Sequence, residues 1–516
     1  MRVQRDGRDF KVEVTADGEG LVGHAGASLL AEVADKTGLT RALSLGLAGM
    51  KERRSGHDPG LVVRDLAVML ADGGECVSDL GGLRDQLALF GRVASDSTAY
   101  RVVERVASDP GLLDGLRAAH AKARARAWKL GVKPERITID LDATLITAHS
   151  LKDRAAPNYK GGYGFQPIMA YCDETGEALA GTLRPGNAAP HNAADQIIVA
   201  EDALQQIPVE HIQEIEILLR TDSAGMTHDL VNWAREGRLG FSVGFDLTEP
   251  VRSAILAVPD TAWLPVLDRD GAWRPNGQVA EITHLVDLSS WPERSRLICR
   301  RERAHPGAQL SFTDHDGHRF QVLLTDQDDP DIAALELRQR QRAHAEDHIR
   351  NDKDTGLAKL PFKDFQMNQV WVYLVLIAHD LITRSQTLLL DGETRQRRAQ
   401  APALPATAHS RTTRIPRTTC PPQTPGHLAL GERARRRVLK APSAPRARRL
   451  NRQPAPTTAT LHRRQTSTAA CAKTTRAALN TTDPNTARTA SATRRASFTS
   501  QPIPPVPQSD DHTVTE

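Results

Sequence analysis

The chain has 516 residues, 40% of them hydrophobic and 25% charged, with a formal net charge of +4, which is long and apolar enough for two or three domains with cores of their own. Its five cysteines (Cys76, Cys172, Cys299, Cys420, Cys471) are odd in number and lack CxxC spacing; this argues against a disulfide framework or a zinc site and for a reducing cytoplasm. The first residues, MRVQRDGRDFKVEV, contain no apolar signal core, and the longest apolar run, around 370–378, is too short for a bilayer, so a soluble cytoplasmic chain is expected.

After a β-like start at Phe10–Val14, residues 1–135 read as helical. Ser28–Ala34 and Leu39–Leu47 flank a turn at Gly38; Leu61–Leu70 has helical periodicity; Ser97–Val106 opens on a Ser97/Thr98 cap; Leu112–Leu130 is rich in Ala and Arg. The pair around Gly38 fits either a helix-turn-helix or, more commonly, part of a small helical bundle.

From Arg136 the pattern changes. The alternating, β-branched run from Ile137 to Ile146 predicts a strand, followed by a Gly-rich turn at 160–164. Pro167–Cys172 and Ala178–Leu183 predict two more strands, His191–Gln206 a helix, Ile215–Thr221 a strand, Met226–Glu236 a helix and Leu239–Phe245 a fifth strand. The order β-β-β-α-β-α-β describes a mixed sheet covered by helices, an α/β core. Residues 246–330 break it with short strands at Ala262–Leu267, Val279–Leu288, Arg296–Arg301 and Arg319–Leu324, a β-rich insert. A helix over Asp331–Arg350 and a long apolar helix over about Phe365–Leu390 complete a domain at 136–391.

Residues 392–500 carry 22 Lys+Arg against 3 Asp+Glu, whereas residues 1–391 hold 45 against 57, a net of −12. This tail, 392–516, is Arg, Pro, Thr, Ala and Ser with one aromatic, Phe498. It is expected to be disordered, because it cannot bury enough apolar surface to offset ordering entropy. A basic tail adds nonspecific DNA affinity; a change of reading frame in a GC-rich gene accounts for the composition equally well. The acidic body does not exclude nucleic acid, since basic stripes and metal ions act locally.

Three acids at the ends of separate elements carry the chemistry. Asp142 lies at the end of the first core strand, Asp222 follows the fourth, and Glu346 sits on the helix after the insert. Three converging carboxylates hold two divalent ions about 3.5–4 Å apart, the arrangement for in-line attack on a phosphodiester. Each has a plain alternative: an edge position facing water for Asp142, a helix cap for Asp222, an i,i+4 ion pair for Glu346. Asp140 shares the face of Asp142 and is the alternative first ligand. Arg342, Glu346 and Lys353, four and seven apart, fall on one stripe of a helix, which suits a metal ligand flanked by phosphate-binding cations as well as it suits an ion pair.

Taken with the element order, these residues resemble the DDE transposases of bacterial insertion sequences, most closely the thirteen-eighty insertion-sequence family, over about Val12–Ser385. The resemblance lies in Val-Thr-Ala-Asp-Gly-Glu-Gly at 14–20, Asp-Leu-Ala-Val-Met-Leu-Ala-Asp-Gly-Gly at 65–74, Tyr-Lys-Gly-Gly-Tyr-Gly-Phe at 159–165, Arg-Pro-Gly-Asn at 184–187, Leu-Pro-Phe at 360–362 and Asn-Gln-Val-Trp at 368–371. The wider group's signature of Tyr, two residues, Arg, three residues, Glu, six residues, Lys is met by Arg342, Glu346 and Lys353, with Gln339 at the Tyr position. The resemblance implies an RNase H-like core with a β-rich insertion, preceded by a helical N-terminal domain that binds DNA ends and followed by the basic tail. It implies that Asp142, Asp222 and Glu346 bind two Mg²⁺ (Mn²⁺ substituting) and that Arg342 and Lys353 hold DNA phosphates. It further implies a homodimer on double-stranded DNA, acting at the nucleoid, that cuts inverted-repeat ends and joins them to target DNA. A nuclease without strand transfer and an inactive, regulatory DNA-binding remnant are the competing readings. The tail departs from the ordered basic region expected there.

Overall fold

The computed structural model describes residues 24–50, 56–131, 134–148, 151–208, 215–303 and 314–389. The predicted β-like start at 10–14, the 14–20 segment and the whole basic tail lie outside the described residues.

The N-terminal region is helical: α1 (Ala27–Lys36), α2 (Leu39–Gly46), α3 (Pro59–Ala71), the short α4 (Leu80–Arg84) and α5 (Leu87–Phe90), α6 (Asp96–Ala107) and α7 (Pro110–Lys129). Local chemistry sets the boundaries. Asp58 caps α3, its carboxylate accepting from Gly60 N at 2.8 Å with Pro59 in the first turn. The cap of α6 is Ser95, not the expected Ser97 or Thr98: Ser95 is extended and its Oγ accepts from Thr98 N, so the helix already starts at Asp96. Gly38 turns between α1 and α2 with φ of +77°, where a side chain would be strained. Both helices bury their apolar faces within the fold, α1 on α3 and α2 on α3 and α7.

The core is a nine-stranded mixed sheet: β1 (Ile137–Ala143), β5 (Ile168–Cys172), β6 (Glu177–Thr182), β7 (Ile217–Thr221), β8 (Gly240–Phe245), β9 (Leu264–Leu267), β10 (Trp273–Glu281), β11 (Arg296–Arg303) and β12 (His318–Thr325), in the order β6-β5-β1-β7-β8-β12-β11-β10-β9. A small second sheet joins β2 (Ile146–Thr147), β4 (Tyr163–Phe165) and β3 (Ala156–Pro157). Strands β1, β7 and β8 are parallel; all other neighbours are antiparallel. The insert does not stand apart, because β12 pairs with β8 and continues the same sheet. This covers an edge that would otherwise expose unpaired backbone. It also contains a helix, α10 (Glu249–Ala257).

Helices α8 (Ala193–Gln206) and α9 (His228–Glu236) cross between the parallel strands and share a core with β1, β5 and β7. The expected helix at 331–350 is two helices, α11 (Ile332–Arg340) and α12 (Ala343–Asp352), broken at Gln341–Arg342 and followed by a wide turn, Lys353–Leu357. The long α13 (Phe365–Leu389) is nearly all buried and packs on β6, α3, α6 and α1, so the N-terminal helices and the C-terminal helix share one core. No helix among the described residues is long and apolar enough to cross a membrane.

Candidate functional site

Parallel pairing brings two of the three predicted acids together. Leu141 is in register with Thr221 on β1 and β7, so Asp142 and Asp222 are the next residues at the same end of adjacent strands. In open α/β sheets this carboxyl end is where ligands collect. Asp222 leaves β7 and turns its Oδ1 to the Ala224 amide at 3.0 Å, so the cap geometry weighed for it is present. Asp142 is half-buried.

Helix α12 supplies the third acid. Arg342 stands at its N-cap, and its guanidinium bridges β1 and the helix: Nη1 lies 3.2 Å from Asp142 Oδ2 and Nη2 donates to Glu346 Oε1 at 2.9 Å. The i,i+4 pair is therefore real, and it is also one arm of a cross-element bridge. Glu346 is 56% exposed. Lys353 lies at the other end of α12, as its C-cap, rather than inside a continuous helix. It remains within electrostatic reach of Asp142.

The electrostatics agree with crowding of like charge. Burial, with Asp222 and Glu346 adding to it, raises the Asp142 carboxyl to about 6 in spite of Arg342. Burial alone would lower Arg342, yet Asp142, Asp222, Glu346 and Asp140 hold it above its ordinary value. Burial lowers Lys353, with Asp142 opposing.

Asp140, the alternative first ligand, is fully buried and grips Arg220, whose Nε and Nη2 donate to its two oxygens at 2.6 and 2.7 Å. Burial pushes its carboxyl to about 7 against the pull of Arg220. Arg220 also pairs with Asp173 at 2.9 Å and donates to the Arg338 carbonyl, and Asp173 meets His344 Nδ1 at 2.7 Å. Burial works against the Asp173 charge, but His344 and Arg220 hold it below the ordinary carboxylate value. The chain Asp140–Arg220–Asp173–His344 thus ties β1 and β7 to the helix bearing Glu346. Gln339, at the end of α11, makes a second tie: its amide donates to Thr221 O at 2.8 Å and accepts from Ser242 Oγ at 2.7 Å.

Sequence reasoning missed these supports. One signal was available: an Arg inside the apolar run of β7 needs a buried acid opposite it, and Asp140 is its register partner.

The donor set around Asp142 is all carboxylate oxygen, which suits a hard divalent ion. A bridging guanidinium on two of those carboxylates marks the place as one that takes positive charge. Among the described residues, no group of three His, Cys, Asp or Glu side chains is gathered closely enough to hold an ion as placed.

The family described as "Transposase DDE domain group 1" matches residues 4–404. A solved structure of the piggyBac transposase synaptic complex with hairpin DNA is similar at a TM-score of 0.37 and 9% identity, over 83% of this chain and 84% of that one. No curated protein matches.

Proposed function

We propose that this chain, which belongs to the transposase DDE domain group 1 family, cuts the inverted-repeat ends of an insertion sequence of the thirteen-eighty type and joins them to target DNA. The catalytic residues in this reading are Asp142, Asp222 and Glu346 on an RNase H-like core. The sheet order β6-β5-β1-β7-β8, with β1, β7 and β8 parallel, supports that core. The observation that carries the reading is the Arg342 bridge between Asp142 and Glu346, with Asp222 at the same end of the strand paired with β1.

Two Mg²⁺ (or Mn²⁺) held by the three carboxylates would polarise the attacking water or 3′-OH and stabilise the leaving oxygen. Arg342 supplies a planar, two-pronged cation suited to a phosphate, and Lys353 a second, compact one. The Asp140–Arg220–Asp173–His344 chain keeps α12 in place against β1, so the distance from Glu346 to Asp142 is set by the sheet. In this reading the helical residues 1–135 recognise DNA ends, residues 136–391 form the catalytic domain, and the protein works as a homodimer at the bacterial nucleoid.

The test is Mg²⁺-dependent cleavage of DNA carrying the repeats that flank the gene, with Asp222→Ala and Glu346→Ala alongside. Cutting and joining by the parent, abolished in both variants, is the expected result. Cutting without joining favours a nuclease, and specific binding without cutting favours a regulatory remnant. Cleavage that survives both substitutions removes these residues from the catalytic role.

A further inference from the structure

A small sheet that includes the β3–β4 hairpin follows β1 in the chain, just beyond Asp142. Strand β2 begins four residues beyond Asp142 and pairs with β4, Ile146 with Phe165 and Thr147 with Gly164; β4 pairs in turn with β3. Its base is tightly held. Thr144 N donates to Pro167 O at 3.0 Å. Gly164 has φ of +154°, and a Cβ there would lie 2.0 Å from Ile146 O, so only glycine allows this approach.

Its tip is equally well ordered by hydrogen bonds. Asn158 Oδ1 accepts from Lys160 N and Gly162 N, both at 3.0 Å, and Asn158 N donates to Gly162 O at 2.8 Å. On this fixed turn Tyr159 is 66% exposed, Lys160 Nζ lies 5.6 Å from its ring centre, and Tyr163 is also exposed. Residues 154–172 contain no Asp or Glu, an acid-free stretch in an otherwise acidic body. Lys160 is also within electrostatic reach of Lys353, which in turn senses Asp142.

A rigid, exposed aromatic beside a cation is the chemistry that holds an unstacked base: the ring offers a face that any base can stack on, and the ammonium takes the adjoining phosphate. We propose that the 158–162 tip is a docking site for an unpaired nucleotide next to the scissile phosphate, with Tyr159 stacking on the base and Lys160 pairing with its phosphate. The proposal rests on the transposase reading and extends it to DNA that is locally opened at the cut.

The full chain, in EDTA so that nothing is cut, is titrated by fluorescence anisotropy into two labelled DNAs: a blunt duplex, and the same duplex with an eight-nucleotide dT arm. The parent is expected to prefer the armed duplex. Tyr159→Ala should weaken the armed duplex roughly fivefold or more and leave the blunt one nearly unchanged, while Tyr159→Phe keeps the preference. Lys160→Ala should weaken both and reduce the slope of log Kd against log salt by about one. Tyr159→Ala binding like the parent, or Tyr159→Phe losing as much as Tyr159→Ala, overturns the proposal. A parent that binds DNA without preferring the arm overturns this proposal alone; a parent that binds neither DNA overturns the transposase reading with it.

Discussion

At the sheet rim, the carboxylates of Asp142 and Glu346 share one guanidinium, that of Arg342, and Asp222 adds a third negative charge that acts on it without pairing. Where α13 crosses β6, by contrast, the two carboxylates of Asp380 and Glu177 meet two guanidiniums, Arg124 and Arg384, and Asp380 is bonded to His120 as well. Burial lowers His120 to about 4, so it is neutral at pH 7 and the charges in this second cluster cancel. Burial opposes the Asp380 charge, but Arg384, Arg124 and His120 hold its carboxyl well below the usual range, whereas Asp142 is pushed up to about 6. Both sites join carboxylates from strands and helices, but Asp380 and Glu177 are buried whereas Asp142 is half-buried and Glu346 exposed. A balanced cluster holds elements together, while a surplus of negative charge at the strand ends is a cost to folding that an external cation can relieve.

Neutralising one acid in each cluster is the strongest way to break this comparison. Asp142→Asn should cut DNA cleavage by at least about a thousandfold and leave the melting temperature unchanged or slightly higher, because burial already disfavours the charge it removes. Asp380→Asn should do the reverse. It leaves Arg124 and Arg384 underpaired in a dry site, at a cost of about 3–5 kcal/mol, with cleavage per folded molecule unchanged. Urea unfolding and cleavage measured on the same samples separate the two, and a large stability loss in Asp142→Asn would break the distinction.

A third buried pair gives a somewhat smaller effect with a pH signature. His379 Nδ1 lies 2.6 Å from Asp352 Oδ1, and its Nε2 faces Gly176 O at 2.8 Å. Burial lowers the imidazolium, yet Asp352, Asp380 and the carbonyl raise it to about 9 from an ordinary 6.5. Because the folded value lies above the unfolded one, the stabilisation is complete below about pH 6.5, fades as pH rises, and is gone above about pH 9. His379→Gln should therefore be less stable than the parent by on the order of 3 kcal/mol at pH 6, with most of that gap closed at pH 9.5. A gap that is constant with pH would show that His379 is neutral in the fold.

The strands of the core were legible because β-branched alternation and Gly or Asp turns bound them, and Ile137–Ala143 and Ile217–Thr221 fall inside the predicted runs. Asp142 and Asp222 stand out in the sequence because they lie at strand ends, although only the parallel register of β1 with β7 puts one beside the other, and Glu346 falls in the first turn of α12. What periodicity does not encode is pairing between distant segments. The join of β12 to β8, the grip of Arg220 on Asp140 and the contact of His344 with Asp173 all depend on which chains meet. The break between α11 and α12 was hidden for the same reason: Gln339 just before it and Arg342 within it bond to β7, β8 and β1, and local propensity carries no record of those partners.

The smallest effect is the sharpest test of the surplus charge. If Asp142, Asp222 and Glu346 take up divalent ions, Mg²⁺ binds the folded chain and not the unfolded one. At ten times its Kd it should then add about 1.4 kcal/mol to stability by mass action. Residues 1–391 carry a net −12, so Mg²⁺ will also screen the surface, and a shift in the parent alone decides nothing. The informative quantity is the difference between variants at constant ionic strength. Asp142→Asn and Glu346→Gln should lose the Mg²⁺ gain, and Asp380→Asn, although less stable throughout, should keep it in full. Removing Mg²⁺ with EDTA should return the parent to the stability it had before addition. An equal gain in all four proteins would assign the ion to the diffuse acidic surface, and the rim would then be unbalanced without being a metal site.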